Sequence, residues 1–253
     1  MKNMIRENTV LVAMDAVCGE TGVVWNTREV AHVLRGCPTS TPLLHVDASQ
    51  APLTEKISRA HFDADMLTIG ASKVGEARGI GAFIAHRTIP LAPLYEGGGQ
   101  ERGLRSGSEA PELAQVFAAS LSDAALNRES FRASARILRA QTIKAITTDI
   151  PNVYINEGRA QAPHILNLSL PDRDTDYLVA LLDEAGYAVS TRSACETDSK
   201  EGSRAVLALT ANEKRAQATI RISWNERIKT SHLRGFAQAL IQAVAFVDRN
   251  AER

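Results

Sequence analysis

The run LLHVDASQ, residues 43–50, is a short apolar stretch that stops at Asp47 and passes into small and polar residues. Such a run predicts a buried strand with an acid at its carboxyl end. Upstream, TVLVAM (Thr9–Met14) has the same apolar, β-branched character. Between the two lies TREVAHVLRG, where Val30, Val33 and Leu34 fall at helical spacing and Gly36 can end the helix. Downstream, DMLTIG (Asp65–Gly70) makes a third strand. Strand, helix, strand predicts a parallel α/β sheet.

The rest of the chain extends this pattern and then changes it. GIGAFIA (Gly79–Ala85) is a further strand, and from about Pro90 a loop leads into GGGQERGLRSGS (Gly97–Ser108). Pro111 is a good first helical residue, and the long polar and alanine-rich stretch behind it predicts one or two helices with a domain boundary inside. Beyond Thr148 the pieces are shorter. ILNLSL reads as a strand, YLVALLDEAG as a helix closed by Gly186, and YAVST and TIRISW as strands. A last helix begins near Ser231, with Leu233, Phe236, Leu240, Val244 and Val247 forming one core-facing stripe. Two domains are expected, over residues 1–120 and 121–253.

Composition narrows the function. The chain has 253 residues, enough to bury a sizeable core, and 29 basic side chains balance 29 acidic ones. A net charge of zero provides no field to attract nucleic acid or an anionic membrane, so a small-molecule or protein partner is expected. No window approaches the roughly 18 consecutive apolar residues of a membrane span, and MKNMIRENTV lacks the apolar core of a signal peptide. A cytoplasmic location is the expectation. The three cysteines, Cys18, Cys37 and Cys195, form neither an even framework nor a CxxC pair, so any cysteine chemistry would be that of a free thiol, and no metal site is expected.

Five places have side chains suited to chemistry. Asp47 follows an apolar strand, where the carboxyl end of a parallel strand opens on the ligand crevice of α/β proteins; it would equally serve to cap the turn. Lys73 stands just after another strand end, near Gly70 and Ala71, where an amine could form an imine with an aldehyde; most loop lysines are simply solvated. GGGQERGLRSGS has the composition of a backbone nest for phosphate oxygens, or of a flexible surface loop, and matches no standard nucleotide motif. Cys195 sits in STRSACETDS among hydroxyl and charged neighbours, unlike a core cysteine. Arg221, on the otherwise apolar TIRISW, needs an anionic partner if buried, either an internal carboxylate or that of a substrate.

Taken in order, HVDASQ, a strand leading into Lys73, GIGAF, GGGQERGLRSGS, STRSAC and TIRIS closely resemble the cysteine desulfurases, pyridoxal phosphate enzymes of the class V aminotransferase group, from about Ile5 to Phe246. The resemblance implies the fold type I of pyridoxal phosphate transferases. A truncated large domain with a mostly parallel sheet would be followed by a small C-terminal α+β domain carrying the reactive cysteine. It also implies roles. Asp47 would pair with the pyridine nitrogen of pyridoxal 5'-phosphate and Gln50 with the ring's phenolic oxygen. Lys73 would hold the cofactor and, once freed, move the α-proton of the substrate, with Ser72 beside it in the cofactor site. Ser108 would reach the phosphate of a neighbouring subunit's cofactor, which implies a homodimer, and Arg221 would clamp the substrate carboxylate. Cys195 would attack the sulfur of bound L-cysteine and keep it as a persulfide for an acceptor or scaffold protein, with Arg192 favouring the thiolate. Cys18 and Cys37 match no such role.

The same resemblance marks departures. Family members are longer at the amino end, where a phosphate-binding loop and a histidine stacking on the pyridine ring belong. A hydroxyl and an imidazole expected near the phosphate are missing from Gly70-Ala71-Ser72-Lys73, and Cys18-Gly19-Glu20 stands where an Asn-Asn-Glu run is usual. The sheet would be short of strands, leaving an apolar edge to be covered. Two rivals therefore stand beside a cysteine desulfurase: a cofactor-free homologue acting as an interaction or regulatory subunit, and a selenocysteine lyase or other enzyme of the same fold.

Overall fold

A computed structural model of the chain describes residues 4–37, 41–191 and 202–251. These residues divide into two compact units, one formed by the chain up to Ala16 with Asn26–Arg128, the other by Val17–Trp25 with the chain from Glu129 onward. Among them no helix is long and apolar enough to cross a membrane.

The first unit is built around β1 (Leu11–Asp15), β2 (Leu43–Asp47), β3 (Met66–Gly70) and β4 (Gly81–Ala85), lying side by side in that order. β1 and β2 are parallel, as are β2 and β3, with Asp15 opposite Asp47 and Asp47 opposite Thr68. The connection from β1 to β2 is the helix α1 (Thr27–Arg35), whose start is capped by the Asn26 side chain accepting from the Glu29 N–H at 3.2 Å. Ala31 and Leu34 make its buried stripe, whereas Val30 and Val33, expected on it, are only half-buried, and Gly36 closes it. A single short turn of helix, α2 (Arg59–Phe62), precedes β3. β4 runs antiparallel to β3, since residues 71–80 are too few for the crossover that parallel pairing demands. Gly81 is required where β4 meets β3, because a Cβ there would lie 2.8 Å from the Ile69 carbonyl oxygen. Leu44, Val46, Leu67 and Ile69 fill one face of this sheet, while Leu11 and Phe83 remain half exposed.

α3 (Pro111–Asp149) is one continuous 39-residue helix, as its freedom from glycine and from any proline after Pro111 allows. Its residues to Arg128 belong with the first unit and those from Glu129 with the second. The second unit holds the antiparallel sheet of β5 (Tyr154–Ile155), β6 (Ile165–Ser169) and β7 (Thr219–Ser223). Around it lie α4 (Thr175–Glu184), α5 (Arg204–Thr210), α6 (Glu213–Gln217) and α7 (Thr230–Ala251). Leu233, Phe236, Leu240 and Val244 of α7 are buried as their spacing predicts, each side chain contributing about 2 kcal/mol, while Val247 at the end of the stripe is half-buried. The strand expected at YAVST shrinks to one bridge, because only Ser190 exchanges backbone hydrogen bonds with Arg221, at 3.2 and 2.7 Å.

β6 is buried along its whole length, and its two faces differ. Leu166 and Leu168 point one way with Ile220 and Ile222, while Asn167 and Ser169 point the other with Arg221 and Thr219. On that second face the Asn156 amide donates to Asn167 Oδ1 and to Ser169 Oγ, each at 2.7 Å. Arg215 in turn donates to Asn156 Oδ1. Burying these polar groups is tolerable because they satisfy one another.

Candidate functional site

In the first unit, the carboxyl ends of the parallel strands β2 and β3 form one edge with Asp47, Gln50, Ser72 and Lys73 along it. Asp47 Oδ1 accepts from the Ser49 N–H at 2.8 Å, the turn-capping bond its position predicts. Ser49 Oγ accepts from the Gly70 N–H at 3.0 Å, so one hydroxyl ties the end of β2 to the end of β3. A Cβ on residue 70 would come to 3.3 Å from that hydroxyl, which is why the smallest residue suits the spot. Gln50 is half-buried in the turn. Ser72 and Lys73 close a 3₁₀ turn, Ala71–Lys73, held by the Ala71 N–H donating to the Ile80 carbonyl and the Val74 N–H to the Ala71 carbonyl, both at 3.1 Å. Both side chains are exposed. Neither Asp47 nor Lys73 is in an ion pair with any described residue.

Ser108 stands exposed in the loop leading to α3, without a hydrogen bond to those four residues. Within that loop Glu101 and Arg102 adopt left-handed φ of 49° and 61°, a conformation costing about 1 kcal/mol or more each. The Glu101 N–H donates to the Glu109 carboxylate at 3.3 Å.

Arg221 lies in the second unit. Its Nη1 donates to the Gly19 carbonyl at 3.1 Å and its Nη2 to Ser190 Oγ at 3.3 Å. No carboxylate among the described residues pairs with it. A guanidinium has five N–H groups, so three remain to receive an anion. Thr219 Oγ1 donates to the Thr191 carbonyl at 2.8 Å, so the chain is pinned to β7 at the last described residue before Arg192 and Cys195, which lie outside the described residues. Cys18 is buried and Cys37 half-buried, and the thiol of Cys37 is 3.5 Å from the Val33 carbonyl. A groove of about 440 Å³ between α3 and residues 225–230 contains none of the residues named so far as site candidates.

The donor set at the β2–β3 edge fits pyridoxal phosphate in kind: a carboxylate free to pair with a pyridinium, a primary amine free to condense with an aldehyde, and an amide for a phenolic oxygen. Three groups were not evident beforehand. Ser49 is a small polar residue inside HVDASQ, Asn167 a lone amide inside the apolar ILNLSL, and Gly19 acts through its backbone carbonyl. Asn167 carries a sequence signal, a polar side chain where the apolar pattern asks for none, while Ser49 lies in a stretch that is already small and polar. The third carries no such signal.

A parallel sheet with acid and lysine at adjoining strand ends, followed by a small antiparallel sheet, is the architecture of fold type I pyridoxal phosphate transferases. The chain belongs to the aminotransferase class-V family, which matches it over residues 1–227. The relatives it resembles include cysteine desulfurases. It is 32% identical to a probable mitochondrial cysteine desulfurase of Dictyostelium discoideum over 223 residues, 87% of this chain and 49% of that one. It is 30% identical to the cysteine desulfurase IscS of Pseudomonas putida (strain GB-1) over 246 residues, 95% of this chain and 59% of that one. Among solved structures, a NifS-like protein superposes with a TM-score of 0.86 at 25% identity, covering 97% of this chain and 64% of that one. SspA in complex with cysteine superposes with a TM-score of 0.67 at 26% identity, covering 88% and 60%. The chain spans about half the length of the curated relatives it matches.

Proposed function

We propose that the chain acts as a pyridoxal phosphate dependent cysteine desulfurase, converting L-cysteine to L-alanine and leaving a persulfide on Cys195. The observation that carries this reading is the pairing of Asp47 and Lys73 at the adjoining ends of β2 and β3, both free of ion pairs among the described residues. Bound pyridoxal phosphate supplies an electron sink for the charge left when an amino acid loses its α-proton. Asp47 would hold the proton on the ring nitrogen, and Gln50 would orient the ring through its amide. Lys73 would anchor the cofactor through Nζ and, when free, move the α-proton. Ser72 completes the proposed cofactor set. Arg221 would clamp the substrate carboxylate with the N–H groups left open by Gly19 and Ser190.

In the sulfur step the Cys195 thiolate attacks the sulfur of L-cysteine. The new bond is S–S, the C–S bond breaks, its electron pair stays with carbon, and a proton added there completes L-alanine. An acceptor or scaffold protein would take the sulfur. Ser108 would serve the cofactor phosphate of a second copy, so the working form would be a homodimer, located in the cytoplasm.

The test is to purify the chain with added pyridoxal phosphate and record its visible absorbance, then repeat with Lys73→Ala. Wild type is expected to be coloured and the variant colourless; a colourless wild type sinks the enzymatic reading and favours the cofactor-free role. Incubation with L-cysteine should leave a persulfide that Cys195→Ser lacks.

A further inference from the structure

Asn167 is fully buried in the middle of β6, flanked by Ile165, Leu166 and Leu168, which are fully buried or nearly so. An apolar side chain would be easier to bury there, yet the amide is engaged at both ends. Its Oδ1 accepts from Asn156, and its Nδ2 donates to the Glu20 carbonyl at 3.2 Å. Glu20 is the neighbour of Gly19, whose carbonyl receives Nη1 of Arg221. Asn167 and Arg221 are themselves cross-strand partners on β6 and β7, with side chains on the same face. The four residues Asn167, Glu20, Gly19 and Arg221 thus close a ring of contacts.

The backbone at 18–22 is braced from elsewhere too. The Gly22 N–H donates to the Cys18 carbonyl and the Ala162 N–H to the Gly22 carbonyl, both at 2.8 Å, and the Gln161 amide reaches the Thr21 carbonyl. Gly22 has φ +75°, and a Cβ there would meet Ile165 at 2.9 Å. None of these bonds touches the Gly19–Glu20 carbonyls. Asn167, through the Glu20 carbonyl, holds the stretch of backbone against which the guanidinium leans.

We propose that Asn167 is a positioning residue for Arg221: its amide fixes the Gly19–Glu20 backbone, which turns the guanidinium so that its remaining N–H groups face a substrate carboxylate. This rests on the proposed role of Arg221 in binding that carboxylate. The discriminating variant is Asn167→Asp, which keeps the shape but replaces the donor to Glu20 with an oxygen. If it fails to fold, Asn167→Ala removes the donor without adding charge and takes its place.

Two probes read the outcome in the full chain with pyridoxal phosphate added. L-alanine has the amine and the carboxylate; ethylamine has the amine alone. Asn167→Asp is expected to raise the L-alanine concentration for half of the spectral change about tenfold, leaving that for ethylamine within about twofold. Arg221→Lys should show the same selectivity. An effect in Arg221→Lys with Asn167→Asp matching wild type overturns the positioning role and leaves the proposed function intact. Loss of selectivity in neither variant removes Arg221 from carboxylate binding, and Asn167 with it. If wild type gives no spectral response, the proposed function fails, and Asn167 is judged in the chain without cofactor. There the Arg221 Nε–H resonance, identified by its loss in Arg221→Lys, should exchange with water about tenfold faster in Asn167→Asp, and unchanged exchange overturns the proposal.

Discussion

At the carboxyl ends of β2 and β3, Asp47 and Lys73 are exposed and lightly held, whereas Asn167 on β6 is wholly buried and Arg221 on β7 is half-buried within a web of hydrogen bonds. The two regions hold their reactive groups in opposite ways. The first relies mainly on backbone, with strand ends and tight turns setting where each Cα sits, and two hydroxyls, Ser49 and Thr68, add links between β2 and β3. The second relies on side chains, each satisfying the next, from Arg215 through Asn156 and Asn167 to the Glu20 carbonyl. Removing a group from an exposed edge leaves little behind to be penalised. Removing one from a buried web strands its partners without water.

This contrast can be broken at several points. The largest effect expected is in the first region and on activity alone: Asp47→Ala should lower turnover of L-cysteine about a thousandfold while its urea midpoint stays within about 0.5 kcal/mol of wild type in stability. A large loss of stability would show that the edge is held by side chains after all. In the second region Asn156→Leu should cost about 3 kcal/mol, since Arg215 and Asn167 lose their shared partner inside the unit. A midpoint close to wild type would mean the web is dispensable.

Acid should separate the regions as well. Burial pushes the His164 imidazole down to about 4 from an ordinary 6.5. The unfolded chain therefore binds a proton there that the folded one refuses, so stability is intact above pH 6.5 and falls as pH drops towards 4. The loss levels off at about 3 kcal/mol, and in His164→Phe the slope across that window should be flat. Below that range Asp248, held low by the Arg173 guanidinium, and Asp63, held low by Arg35, add their own losses as they protonate. A slope surviving in His164→Phe would assign the transition to another group. The smallest effect is expected for Ser49→Ala, which leaves the Gly70 N–H without its acceptor and should cost about 1 kcal/mol, read from the denaturant midpoint.

Much of the fold could be read from local pattern. The strands of the first unit, α1 with its Gly36 stop and the stripe of α7 stand where apolar periodicity placed them, because burial of one face is a local property of spacing. Asp47 and Lys73 were legible for the same reason: a strand end is visible in the chain, and a polar residue just beyond it has nowhere to go but the edge. YAVST was not legible, since its residues suit a strand but only Ser190 finds a partner in register. The surroundings of Arg221 were hidden for a stronger reason, because Gly19 acts through a carbonyl every residue possesses.

The alternation of elements, the class of fold and the kinds of side chain available for chemistry all follow from short-range order along the chain, where propensity and periodicity act over a few residues. Folding in three dimensions settled that residues 17–25 join the second unit, that Asn167 reaches Glu20 across 147 positions, and that Arg221 reaches Gly19 across 202. Contacts at such separation depend on how the whole chain returns on itself, and no local preference encodes them.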